Sequence, residues 1–171
     1  MFDETFDKSD DTRLKTAEQY FRKAYHLQVD GHIEEAIHEY HKSIDTFPTA
    51  EAYTFLGWAL SHLGQYNEAI SSCESAISVD PDFGNPYNDI GAYLISLHQL
   101  EEAIPWLNKA KEAKRYEARH YPFFNLGRIF EMQGLWFEAQ VEYEEALRIF
   151  PEYESAKESL QRLNLLLHRR N

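Results

Sequence analysis

The sequence predicts an all-α chain, a solenoid of antiparallel helix pairs. Three observations predict it. First, a turn followed by an acidic residue and an alanine occurs four times, as "VDGHIEEAI" (Val29 to Ile37), "LGQYNEAI" (Leu63 to Ile70), "LHQLEEAI" (Leu97 to Ile104) and, most loosely, "QGLWFEAQ" (Gln133 to Gln140). Second, the alanines of these stretches, Ala36, Ala69, Ala103 and Ala139, stand 33, 34 and 36 residues apart, a period that means stacked supersecondary units. Third, other residues keep the same register. Leu56-Gly57, Ile90-Gly91 and Leu126-Gly127 precede three of the alanines, an aromatic (Tyr53, Tyr87, Phe123) precedes each pair, and Pro48, Pro81 and Pro151 follow three of the alanines.

In chain order, residues 1–10 are acidic and expected to stay disordered, ahead of a repeat domain over 11–168. The first repeat, about 17–48, places Tyr20, Ala24, Leu27, Ala36, Tyr40 and Pro48 in register but has Lys23 where its successors have leucine or isoleucine. A divergent terminal repeat is expected of a cap. The second, 50–83, reads most plainly. Tyr53, Leu56, Leu60 and Leu63 share one side of a first helix, Gly64 stops it, and Tyr66, Ala69, Ile70, Cys73, Ala76 and Ile77 share one side of a second. Asp80-Pro81 ends the pair, because proline cannot continue a helix and restricts the residue before it. Gly57 and Ala69 mark where the two helices approach closely, and a larger side chain there would overpack the crossing at a cost of about 1–3 kcal/mol. The third, 84–117, ends on Arg115 with two extra residues; the fourth, 120–151, keeps every marker. A last helix over about 152–168 carries the stripe Ala156, Leu160, Leu163 and Leu167, with Arg169 and Arg170 at the negative end of its dipole. Leu165 and Leu166 lie off that stripe, which fits either a wide buried face or a contact with another chain.

These markers resemble the tetratricopeptide repeat, whose signature is W-x2-L-G-x2-Y, then A-x3-F, then P. Tyr53, Leu56, Gly57, Leu60, Ala69, Cys73 and Pro81 match it, as do Phe123, Leu126, Gly127, Phe130, Ala139, Tyr143 and Pro151. The resemblance covers about residues 17–151 and implies a right-handed superhelix. It also implies a concave groove lined by the first helix of each repeat, which binds peptides. By that register the candidate groove residues are Phe21, Arg22, Tyr25, Phe55, Trp58, Asn88, Tyr121, Phe124, Asn125 and Arg128. The aromatics would anchor a ligand, the asparagines would bond its backbone, and the arginines would meet an acidic group. The family's clamp for a chaperone's C-terminal carboxylate needs lysines and an arginine. The corresponding positions hold Phe21, Tyr25, Phe55, Asn85 and Asp89, or Thr54, Trp58, Asp89, Tyr121 and Asn125, so that ligand is not expected.

Composition narrows the rest. The net charge of −12 opposes nucleic-acid binding and repels an anionic membrane surface, so a protein or peptide partner is expected. No apolar run reaches the roughly 18 residues of a membrane span, and the N-terminus has no secretory or transit pattern. One cysteine, Cys73, cannot form an internal disulfide, which suits a reducing, cytoplasmic setting. Phosphate-loop, dinucleotide, nucleophile-elbow and zinc-protease motifs are absent, so neither an enzyme nor a cofactor is expected. His38 and His41 are spaced to share a helix face, but two ligands fall short of a usual metal set. Glu34/Glu35 and Glu101/Glu102 suit the positive end of a helix dipole and need no catalytic role. Three functions remain: a scaffold for another protein, an export or assembly chaperone resembling the acidic tetratricopeptide chaperones of type III secretion, and a homo-oligomer joined through the groove or the last helix.

Overall fold

The computed structural model describes residues 8–168. Residues 1–7 of the acidic leader lie outside them, as do Arg169 and Arg170. Among the described residues there are nine α-helices and no strand, with Phe83 and Arg115 forming one isolated parallel bridge. The fold is all-α and built of helix hairpins. It divides into two compact units, one through Pro81 and one from Asp82.

In the first unit, α1 (Lys8–Val29) pairs with α2 (Ile33–Thr46), and α3 (Ala50–His62) with α4 (Tyr66–Val79). Helix α1 starts upstream of the first repeat's expected onset and takes in Ser9 and Asp10, which were expected to be disordered. Part of the reason is local: Asp10 bonds Arg13 on the same helix, and Arg13 Nε donates to the Thr46 carbonyl at the end of α2. Further along, Ser43 Oγ donates to the Ala17 carbonyl and ties α2 to α1. The core of this unit is Ala24, Ala36, Tyr40, Leu56 and Ala59, with Phe21, Leu27 and Phe55 packed against it.

The second unit repeats the plan with α5 (Asn85–Ser96) and α6 (Leu100–Glu112), then α7 (His120–Met132) and α8 (Trp136–Ile149). Helix α9 (Glu154–His168) packs on α8, with Leu163 fully buried between Ala139 and Tyr143 and with Leu160 and Leu167 at its sides. Leu165 and Leu166 are 57% and 44% exposed, so the wide buried face is not what places them off the stripe.

Each pair is joined in the same way. After α3, Gly64 N–H bonds the Ser61 carbonyl and Gln65 N–H reaches back to Leu60, the two-bond cap that needs a left-handed residue. The bonds recur at Gly31/His32, His98/Gln99 and Gly134/Leu135. The small residues on the crossing helices do what the sequence predicts. A Cβ at Gly57 would lie 3.0 Å from both the Ala69 carbonyl oxygen and Cys73 Sγ, and one at Gly91 would lie 2.4 Å from Leu107 Cδ2. Cys73 is a buried packing residue in that contact.

The two extra residues of the third repeat make a loop that is pinned from both ends. Gly84 N–H bonds the Arg115 carbonyl and Arg115 N–H bonds Asp82. Arg119 then turns its guanidinium onto the carbonyls of Lys111, Ala113 and Lys114, where α6 ends, a cation at the negative end of a helix dipole.

Candidate functional site

The first unit holds Phe21, Arg22, Tyr25, Phe55 and Trp58 of the predicted set. Phe21 and Phe55 are half-buried and meet edge to face at 5.2 Å; Tyr25 and Trp58 each meet Phe55 at 5.8 Å, and His62 continues the run at 5.3 Å from Trp58. The run starts in the core, since Phe21 and Phe55 also touch buried Tyr40, and it ends at the surface, with Tyr25 and Trp58 40% and 39% exposed. Arg22 is exposed and 3.8 Å from Glu18 one turn earlier.

The second unit holds Asn88, Tyr121, Phe124, Asn125 and Arg128. Asn88 of α5 and Asn125 of α7 are buried, and they bond each other: Asn125 Nδ2 donates to Asn88 Oδ1 at 3.1 Å. Arg128 donates to Asn125 Oδ1 at 3.2 Å, and Asn88 Nδ2 donates to Asp89 Oδ1 at 3.3 Å. A polar relay therefore runs Arg128, Asn125, Asn88, Asp89. It uses much of the hydrogen-bonding capacity of the two asparagines within the protein. Burial pushes the Asp89 carboxyl up to about 7, against the opposing hydrogen bond from Asn88.

Beside the relay is a second set of rings. Tyr121 meets Tyr153 edge to face at 5.5 Å, Phe124 meets Tyr153 at 5.0 Å, and His120 lies 4.2 Å from Tyr121 and 4.9 Å from Phe150. Burial lowers the His120 pKa, which favours the neutral imidazole. Next to Phe124 and Arg128, α7, α8 and α9 enclose an open cleft of about 470 Å³, lined also by Met132, Trp136 and Leu166. Its floor is fixed by Glu131, which accepts from the Tyr143 hydroxyl at 2.7 Å and in bidentate fashion from Arg162, whose Nε lies at 3.2 Å and Nη2 at 2.9 and 3.0 Å.

Tyr153, His120 and the Glu131–Arg162 pair are not in the predicted set. Tyr153 stands two residues after Pro151, as Phe83 does after Pro81, but both lie in turns between helices, where the spacing of helix faces carries no signal. His38 and His41 are exposed on α2. Among the described residues, no three histidine, cysteine or acidic side chains are grouped to hold a metal ion, and no helix is long and apolar enough to cross a membrane.

Known proteins agree with this architecture. A family model described as tetratricopeptide repeat matches residues 50–83. A small glutamine-rich tetratricopeptide repeat-containing protein 2 of Mycosarcoma maydis is 33% identical over 78 residues, 45% of this chain and 22% of that protein. Its counterpart in Saccharomyces cerevisiae is 31% identical over 102 residues, 59% of this chain and 27% of that protein. The aligned part of the chain thus spans about a quarter of the length of these curated relatives. Among solved structures, that of Pseudomonas aeruginosa pilF superposes with a TM-score of 0.85 at 21% identity, over 92% of this chain and 72% of that one, a likeness of fold. Residues 50–83 thus match the tetratricopeptide repeat, and the helix hairpins with small residues at their crossings give the described chain the all-α fold of such repeats.

Proposed function

We propose that the chain is a non-enzymatic, cytoplasmic scaffold that holds a segment of another protein against the first helices of its repeats. The observation that carries this is the aromatic run of the first unit. Trp58 and Tyr25 remain about two-fifths exposed although an aromatic neighbour is available to each, and Phe55 braces both. Half-exposed rings fixed by packing are the groups that supply most binding energy at interfaces, because little side-chain freedom is lost when a partner covers them. The second unit offers a ring set of the same kind around Tyr121. A photo-crosslinking amino acid placed at Trp58, and separately at exposed Glu74 on α4, tests the reading in cells. Crosslinks to a defined partner segment from position 58 and not from 74 support it; equal labelling from the two positions overturns it.

Self-assembly has an observation of its own, the exposed Leu165 and Leu166 on α9. Light scattering across concentration tests it, and a strictly monomeric protein removes it.

A further inference from the structure

Helices α5 and α7 carry two acidic side chains, Asp89 and Glu131, and the structure treats them oppositely. Glu131 is neutralised by the bidentate Arg162. Asp89 is half-buried and, among the described residues, has no ion pair; the hydrogen bond given to it comes from neutral Asn88. The cations of the same region are engaged elsewhere. Arg119 is spent on three backbone carbonyls, Arg128 on Asn125, and Lys114 on Asp82 at 3.0 Å. The Asp89 carboxylate is nonetheless held in place, because Asn88 is fixed by Asn125 and Asn125 by Arg128.

An unpaired, partly desolvated carboxylate is costly to keep ionised, and burial raises its pKa accordingly. A partner's cation would relieve that cost. The neighbourhood suits the stem of a long basic side chain. The pKa of Tyr116 is raised chiefly by burial and further by Asp89, Tyr121 and Tyr153, with Arg119 opposing, so the carboxylate and these rings belong to one neighbourhood whose arginine is already committed to the end of α6. Rings of this kind take the methylenes of lysine or arginine on their faces and attract the charged end. The protein as a whole carries 29 acidic against 17 basic residues, so a basic segment is also favoured at long range.

We propose that Asp89 is the docking point for a lysine or arginine side chain of the bound segment, so that the α5–α7 face selects a basic peptide. This rests on the reading of the first helices as a binding face. It deepens that reading by naming the partner's chemistry, and it gives the Asn88–Asn125–Arg128 relay a purpose, to orient the receiving carboxylate.

The test uses immobilised full chain and three libraries of capped nonapeptides, random except at the centre, which is lysine, norleucine or glutamate. Wild-type protein should retain the lysine library at least about fivefold over the norleucine one, and Asp89→Asn should bring that ratio below about twofold while still retaining peptides. Asp89→Asn removes charge and keeps shape, and circular dichroism confirms that it is folded. If peptides bind but the lysine preference is absent, or survives Asp89→Asn unchanged, this inference is overturned and the binding face stands. If no library is retained above the bare matrix, the binding face falls and the inference with it.

Discussion

Gly127 of α7 and Tyr143 of α8 touch without room for a single carbon: a Cβ on Gly127 would lie 2.5 Å from Tyr143 Cε1 and 2.6 Å from Cδ1. The ring cannot easily swing away. Its hydroxyl is bonded to Glu131, which is itself clamped by Arg162, and Tyr143 is fully buried. Gly127→Ala should therefore destabilise the protein. Alanine gains about 1 kcal/mol in helix propensity over glycine. Overpacking costs about 1–3 kcal/mol, so a net loss of up to about 2 kcal/mol is expected. Urea denaturation measures it, and a midpoint equal to or above wild type would contradict the fixed ring.

His98 occupies the backbone position that glycine fills in the other three pairs. Its φ is 59°, beside 86°, 73° and 76° at Gly31, Gly64 and Gly134, and it makes the same pair of cap bonds. A side chain in that region costs about 1–2 kcal/mol. Glycine relieves this cost but loses about 0.4–1 kcal/mol through its freer unfolded chain. His98→Gly should thus raise stability by about 0.5–1 kcal/mol, seen as a higher melting temperature, whereas Gly64→His should lower it. A fall on His98→Gly would mean that the imidazole makes a contact worth more than the strain.

What could be read in the sequence was whatever the repeat must restate. Ala69, Gly57, Gly91 and Leu163 are where their spacing puts them, because close crossings admit only small or well-fitted side chains. Helix α1 upstream of Ala17 was not legible, since "KSDDTRLKT" has little apolar period and is anchored by single hydrogen bonds such as that from Arg13 to Thr46. The identities of the rings were legible, but their exposure was not: Phe55 and Trp58 differ by which neighbours cover them. Asp89 was visible as a residue at a groove position. Its lack of a cation was not, because no spacing in the sequence shows which groups an arginine such as Arg119 will meet.

Lys23 looks like a defect in the first repeat, standing where leucine or isoleucine belongs, yet its Nζ lies 3.1 Å from Glu39 Oε1. Glu39 is 4% exposed and also paired with Lys42 at 2.8 Å; the Lys42 hydrogen bond is the largest effect holding its carboxyl below the usual range, with Lys23 helping. Lys23→Leu alone should cost about 1 kcal/mol, since Glu39 loses one of two cations but keeps the other. Lys23→Leu with Glu39→Leu should return to wild-type stability or exceed it, because the pair is buried on the Glu39 side and an apolar residue there removes the desolvated charge. Strictly additive losses in this double-mutant cycle would show that the two side chains do not depend on each other.

Asp89 makes stability depend on pH in a direction opposite to that of a salt-bridged carboxylate. Its pKa rises from 3.8 when unfolded to about 7 in the folded protein, through burial. Between those values the native state holds a proton that the unfolded chain has released, so its contribution to stability falls as pH rises from about 4 to about 7 and stays low above. Asp89→Asn has no such proton to lose. Relative to wild type, the variant should gain stability steadily across that window and be the more stable protein at pH 8, with little further change beyond. Chemical denaturation of both proteins at pH 4.5, 6 and 8 checks this. A difference that stays constant, or that runs the other way, would show that Asp89 is ionised and already compensated in the free protein, and it would remove the vacancy for a partner's cation as well.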